Sequence, residues 1–298
     1  MSQLSSGSLQ ASIDFVGVNG ILLSRERWSH RVAASGLTPP GYAAFVGGCP
    51  GSSFSMCGST VMPGKMFATL DATEVDFLTS DNQEHWTMLV PLELLTEQLG
   101  AEYVAELLQT PYFTAGETGA VDRLSTLVVH SIARLHSNST CAVDQNPLDT
   151  LETQLLDAGI ACLLGDKSRK TVEAQSTQRA IAFRLALQEI DAERGNITVD
   201  ELALRSGVSR RSLEIGFKEA LAMPPIRYAR LVRLNRMHRV LLQASAEKLS
   251  VTQAAQDCGF PELGRAAGYY REAFGELPSD TLHRELKTPD LRLADGLS

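Results

Sequence analysis

The sequence predicts an α+β chain in which a strand-rich N-terminal half, a barrel or a sandwich with added helices, precedes an all-helical C-terminal third. Three observations predict it. Residues 13–90 are short β-prone runs broken by Gly, Pro, Asp and Asn. From residue 91 onward the apolar spacing turns helical. Residues 197–282 hold two copies of one helix–Gly–helix pattern, joined by a long basic helix. A length of 298 residues leaves room for two domains, drawn here as 1–165 and 177–298 with a linker over 166–176.

Residues 1–12 are rich in Ser, Gly and Gln and read as loose. The strand runs are 21–32, 42–46, 54–57, 65–70, 74–78 and 85–90, a spacing that fits a barrel or a sandwich. Helices follow over 91–108, 121–135 and 148–164. Leu124, Val128, Ile132 and Leu135 form one buried stripe, and Leu151, Leu155 and Ala158 another. These stripes either pair two subunits or pack against the strands. The linker is polar and charged, with Asp166, Lys167, Arg169, Lys170 and Glu173.

The second domain opens on a helix over 178–194, with Phe183, Leu187 and Ile190 inward. Each repeat copy then begins with a capping signal: Thr198 with Glu201, and Ser250 with Gln253. The residues before the caps, Ile197 and Leu249, suit hydrophobic staples. Ala203 and Ala255 stand four residues before Gly207 and Gly259, the residues suited to a positive φ at the helix end. Ser209 caps the next helix. Its apolar face is Leu213, Phe217, Ala220 and Leu221, with Arg211, Ile215 and Lys218 on the other side. In the second copy Ala266, Tyr270 and Phe274 face inward, while Arg265, Gly268 and Glu272 face outward. Between the copies, 226–242 is helical, with Leu231, Leu234 and Leu241 inward.

This stretch resembles the DNA-binding domain of the AraC/XylS family of bacterial transcription regulators. The residues that carry the resemblance are Gly259-Phe260, Tyr270-Arg271, Gly275 and Pro278 in the second copy. The first copy adds Leu202-Ala203, Ser209, Leu213, Phe217-Lys218, Pro225, Tyr228 and Arg233-Leu234. The match covers roughly residues 177–285. Gly264, Ala266 and Gly268 depart from it, standing where the family usually has a small hydroxyl, Phe and often Arg. The resemblance implies a cupin-like effector or dimerisation barrel in the N-terminal part. It also implies two reading helices set about one DNA turn apart, ~34 Å.

The resemblance turns the exposed basic residues into expected DNA contacts, against the rival reading of a solvated helix face. Arg211 suits a guanine edge and Arg210 a phosphate near the helix start. Ile215 suits a thymine methyl or a sugar. Lys218 and Arg271, each following the core aromatic, suit phosphates. Arg265 is the expected contact of the second copy, where Gly264 and Gly268 leave only close backbone approach or shape readout. Arg233 reads as structural. The charge distribution agrees. The chain has net charge −8, yet residues 205–271 hold 12 Lys+Arg against 5 Asp+Glu, and residues 1–176 hold 9 against 19.

In the N-terminal part, Trp28, His30 and Trp86 are the candidates for a ligand pocket, weighed against an exposed strand face and a core Trp. Arg25, Arg27 and Arg31 share the strand side opposite Trp28 and His30. The histidines do not fall at ligand spacing, there is no Gly-x-Ser-x-Gly, and no glycine loop suits a phosphate. No metal, cofactor or catalytic group is expected. Five scattered cysteines, no signal segment and no long apolar run lead to the expectation of a cytoplasmic protein away from membranes.

The expected function is a sequence-specific, effector-responsive transcription activator, a homodimer whose partners are double-stranded DNA and RNA polymerase. The alternatives are a dimeric regulator that needs no ligand and a barrel enzyme with an accessory DNA-binding tail.

Overall fold

The computed structural model describes residues 1–57, 59–109, 112–115, 118–137, 145–165, 170–171, 178–244 and 249–284. Most of the expected linker, 166–169 and 172–176, lies outside the described residues. The chain packs as two compact units. One is residues 10–29 and 34–175. The other is residues 1–9, 30–33 and 176–291.

The strands in chain order are β1 (Ser2–Gln3), β2 (Ala11–Val18), β3 (Ile21–Trp28), β4 (Val32–Leu37), β5 (Tyr42–Gly48), β6 (Phe54–Met56), β7 (Ser59–Val61), β8 (Met66–Leu70), β9 (Glu74–Thr79), β10 (Gln83–Pro91), β11 (Tyr112–Ala115) and β12 (Lys170–Thr171). Helices α1 (Leu92–Leu99) and α2 (Ala101–Leu108) are separated by Gly100 at φ 85°, which breaks the single helix expected over 91–108. Helices α3 (Thr118–Ser137) and α4 (Gln145–Gly165) complete the first unit.

The expected cupin-like barrel is not formed. The strands make two open antiparallel sheets, ordered β12-β11-β8-β5-β10-β3-β2 and β1-β4-β9-β6-β7. In neither do the two edge strands pair with each other. Strand rhythm alone did not separate the cases, because a barrel and a pair of sheets share the same period of two and the same turn spacing. What differs is long-range edge pairing, and that leaves no local signature.

The helices settle how the larger sheet is covered. Leu124, Val128, Ile132 and Leu155 are buried in one core with Leu23, Phe45, Met66, Trp86 and Met88 of the sheet. The α3 and α4 stripes therefore pack against strands. Each fully buried Leu or Val there is worth about 1.5–3 kcal/mol over the exposed state. On β10 the residues alternate. Trp86, Met88 and Val90 face the helices, while His85 faces the smaller sheet, where its ring meets Phe54 at 5.6 Å and Phe77 at 4.8 Å.

The second unit is helical: α5 (Gln178–Ala192), α6 (Val199–Arg205), α7 (Arg210–Leu221), α8 (Pro225–Gln243), α9 (Val251–Asp257), α10 (Leu263–Phe274) and α11 (Pro278–Leu282). Pro225 and Pro278 open their helices at the position where a missing N–H costs nothing. The first residues of the chain, expected to be loose, pack into this unit. Gln3 N–H donates to Asn235 Oδ1 (2.8 Å), and Asn235 Nδ2 donates back to the Gln3 carbonyl (3.1 Å). Gln3 Nε2 donates to the carbonyls of Ser5 and Gly7, and Gly7 N–H to that of Ala273 (3.0 Å). Asn235 thus gives β1 the donor and acceptor that a neighbouring strand would supply.

Candidate nucleic-acid interface

The first repeat copy is α6, a turn and α7. Thr198 caps α6 with a complete box: Glu201 N–H donates to Thr198 Oγ1 (3.2 Å) and Thr198 N–H to Glu201 Oε2 (3.0 Å). Hydrogen bonding from Thr198 holds the Glu201 carboxyl below its usual range. Gly207 takes φ 68° in the turn, and Ser209 caps α7 by accepting from Ser212 N–H at 3.1 Å. Leu213, Phe217 and Leu221 are buried. Phe217 meets Phe183 edge-on at 4.9 Å and Tyr228 at 5.9 Å. Ala220, expected on that inner face, is exposed; the buried residue one turn earlier is Gly216.

The second copy is α9, a turn and α10. Ser250 Oγ accepts from Gln253 N–H (3.1 Å), but Gln253 Nε2 donates forward to Asp257 (2.7 Å), so only half of the expected box is made. Gly259 takes φ 79°. Ala266, Tyr270 and Phe274 are buried, as the spacing predicts. Behind them runs a polar chain. Tyr270 Oη donates to Thr281 Oγ1 (2.8 Å), and Thr281 donates to Glu276 (2.5 Å). The proton between Tyr270 and His238 (2.6 Å) is then on His238 Nδ1. Burial pushes the Tyr270 phenol up and the His238 imidazole down. The His238 ring also stacks on Phe274 at 4.3 Å.

Each reading helix presents its basic residues to solvent. On α7, Arg210, Arg211 and Lys218 are exposed and Ile215 is half-buried. Arg210 is held by Glu214 (3.2 Å) and Asp200 (3.4 Å), which raise its guanidinium above the usual range. On α10, Gly264, Arg265, Gly268 and Arg271 are exposed. Arg265 is joined to Glu262, a residue that sequence reasoning did not single out. A carboxylate at the N-cap position with a basic residue three further on was the available signal. Arg233 lies on α8, half-buried, its guanidinium 4.8 Å from the Phe260 ring centre.

The three residues expected around a ligand have different surroundings. Trp86 is fully buried between sheet and helices, and its Nε1 donates to Ser125 Oγ (2.8 Å). Trp28 belongs to the sheet unit and His30 to the helical unit. The arginines opposite them on the strand are engaged, Arg25 by Glu84 and Arg27 by Asp14. A different pair stands out on the face of the larger sheet that carries His85. It is His85 on β10 and Glu26 on β3, with His85 Nδ1 buried without a hydrogen-bond partner. Glu26 stands directly opposite His85 in the register, its Oε2 3.7 Å from His85 Nε2, and takes a side-chain hydrogen bond from Trp28. Burial pushes the Glu26 carboxyl up and the His85 imidazole down to about 4. Among the described residues there is no group of three or more His, Cys, Asp or Glu able to hold a metal, and no helix is long and apolar enough to cross a membrane.

Residues 202–284 match the family model described as a helix-turn-helix domain. A probable thc operon regulatory protein of Rhodococcus erythropolis is 38% identical over 100 residues, covering 33% of this chain and 30% of that protein. The XylDLEGF operon transcriptional activator of Pseudomonas putida is 32% identical over 150 residues, covering 50% of this chain and 44% of the relative. The HTH-type transcriptional regulator GbdR of Pseudomonas aeruginosa (strain UCBPP-PA14) is 40% identical over 96 residues, covering 32% of this chain and 25% of that protein. The matched part thus spans less than half of each relative's length. The tandem units, with their caps, glycine turns and aromatic cores, place this chain in the AraC/XylS family of helix-turn-helix transcription regulators.

Proposed function

We propose that this chain is a sequence-specific DNA-binding transcription regulator, working as an effector-responsive activator and as a homodimer. The observation that carries the reading is the repetition of one capped helix-turn-helix unit, each copy turning basic side chains of its second helix to solvent. In this reading α7 and α10 enter successive major grooves. Arg211 meets a guanine edge, and Ile215 a thymine methyl or a sugar. Arg210, Lys218 and Arg271 meet phosphates and set the register. Gly264 and Gly268 admit the backbone of α10 close to the DNA. The relatives named as transcriptional activators support the sign of regulation, and in this reading activation works on RNA polymerase.

The unpartnered His85 Nδ1 supports a small-molecule effector bound in the sheet unit, since buried polar atoms are nearly always satisfied. An effector acts only if it binds one DNA-competence state better than the other. The coupling is then reciprocal: DNA raises effector affinity by the same factor.

The test is an anisotropy titration of the full chain on duplexes from upstream of its own gene, beside scrambled duplexes, across a salt series. The expected result is preference for one duplex, with log affinity falling linearly in log salt at about 0.9 per phosphate contacted. Equal affinity for native and scrambled duplexes at every salt concentration overturns the reading.

A further inference from the structure

Helices α7 and α10 are one helix in two copies, and their first turns are built differently. With Phe217 aligned on Tyr270, Ser209 corresponds to Glu262, Arg211 to Gly264, Ser212 to Arg265 and Ile215 to Gly268. Ser209 caps its helix. Glu262 holds the same N-cap position and makes no cap. Its carboxylate is turned to Arg265 instead, with Nε at 3.1 Å from one oxygen and Nη1 at 3.2 Å from the other. Both side chains are well exposed, at 62% and 72%. Beside this fork the helix is bare. A Cβ built at Gly264 or Gly268 would meet nothing within 4 Å.

We propose that Glu262 is a specificity-determining residue, forming with Arg265 a single reading head for a G·C base pair in the major groove. The inference rests on the DNA-binding reading above. The major-groove edge of G·C presents two acceptors, guanine N7 and O6, and then one donor, cytosine N4. Arg265 Nη1 spends one N–H on Glu262, and the end-on edge of its two Nη groups keeps two parallel donors. Each Glu262 oxygen keeps a second lone pair. The fork therefore offers donor, donor, acceptor against acceptor, acceptor, donor. A·T presents acceptor, donor, acceptor, and the reversed C·G pair presents the same groups in the opposite order. A lone arginine donates to any acceptor, phosphate included. The carboxylate beside it penalises an edge that lacks a donor. With no side chains at 264 and 268, this fork carries the side-chain readout at the start of α10.

The test selects bound duplexes from a randomised duplex library with the full chain and its variants, and reads their sequences. Glu262→Ser supplies the cap hydroxyl that α7 has. It should raise the melting temperature by about 2–4 °C. It should also cut the preference for one G·C pair by roughly 5- to 150-fold. Arg265→Ala should lose preference at the same base pair, and the double variant should lose little more than Arg265→Ala alone. A Glu262→Ser protein that selects the wild-type motif with that base pair intact overturns the proposal, whatever its melting temperature. If the wild type binds duplex and enriches no motif, the DNA-reading function fails and this inference with it. If it enriches a motif that Glu262→Ser leaves unchanged, only the inference fails.

Discussion

Arg233 Nη1 donates to the carbonyl of Gly259 at 2.8 Å, tying the connecting helix α8 to the turn of the second helix-turn-helix unit. The turn has little room to be anything else. Gly259 is at φ 79°, and a Cβ there would lie 2.3 Å from Asn196 Oδ1. On the other side a Cβ at Gly195 would meet Arg233 Cγ at 2.8 Å and the Ala229 carbonyl at 2.4 Å. The arginine stem thus fills a slot that two glycines leave open, while its charged end holds the turn. Burial, with Arg230 nearby, lowers its guanidinium from the usual range. Arg233→Met keeps most of the stem and removes the bond. A charge-assisted bond of this kind is worth about 1.5–3 kcal/mol. Urea unfolding should show a loss of that order; a loss below about 0.5 kcal/mol would sink the assignment.

Arg210 and Arg211 are neighbours with different prospects. Arg210 is already held by Glu214 and Asp200, whereas Arg211 is exposed on the face opposite Phe217. Arg211→Ala should cost about 1–3 kcal/mol of discrimination at one base pair. Arg210→Ala should weaken all duplexes alike and lower the salt slope by about 1. Titrations of both variants on matched and mismatched duplexes decide between them. The reverse pattern would exchange their roles.

What was legible in the sequence is what acts locally. Thr198 with Glu201, Ser209, and the glycines at 207 and 259 signal over three or four residues, and the structure realises each. The inner residues Leu213, Phe217, Tyr270 and Phe274 followed from helical spacing. Long-range facts were not legible. Asn235 and Gln3 are 232 residues apart, and nothing near either foretells their bonds. Sheet closure is a matter of edge pairing, so strand rhythm allowed a barrel that did not form. Trp28 and Trp86 differ in environment because β3 and β10 pair Gln83 with Trp28, a register invisible to composition. Gln253 suits a capping box by residue type, but Asp257, four residues on, competes for its amide.

Gly268 sits mid-helix in α10 with open space where a side chain would go. Glycine in a helix interior costs about 0.8–1 kcal/mol relative to alanine, through the extra freedom of the unfolded chain. Gly268→Ala should therefore stabilise the protein by about that amount. If it also leaves DNA affinity unchanged, the bare surface is dispensable. If affinity falls while stability rises, the glycine is there for close approach to DNA. A destabilised variant would contradict the open space around this residue.

Asn235 is buried on α8 and spends its amide on backbone: it accepts from Gln3 N–H and donates to the carbonyls of Gln3 and Leu231. Asn235→Ala leaves the Gln3 N–H and carbonyl without these partners in a buried site. The expected loss is about 1–3 kcal/mol. Hydrogen exchange makes the test specific, because the Gln3 amide should lose its protection in the variant. Protection unchanged from wild type would mean that β1 is held by its pairing with β4 alone.

His85 links the sheet unit to pH. Burial depresses its imidazole to about 4, from an ordinary value of 6.5. The fold therefore favours the neutral ring, and the unfolded chain takes up the proton first as pH falls. The stability held by the neutral ring is complete above pH 6.5 and is lost progressively as pH falls from 6.5 to about 4. The full loss is of the order of 3 kcal/mol. Glu26, 3.7 Å away, works in the opposite sense. Burial raises its carboxyl, so the fold takes up that proton ahead of the unfolded chain, and acidification through its range adds stability. Comparing wild type with His85→Gln isolates the imidazole, since both retain Glu26. Urea unfolding from pH 7.5 to 4 should show wild type losing stability faster than the variant below pH 6.5. Parallel curves would mean that His85 titrates alike in the folded and unfolded chain.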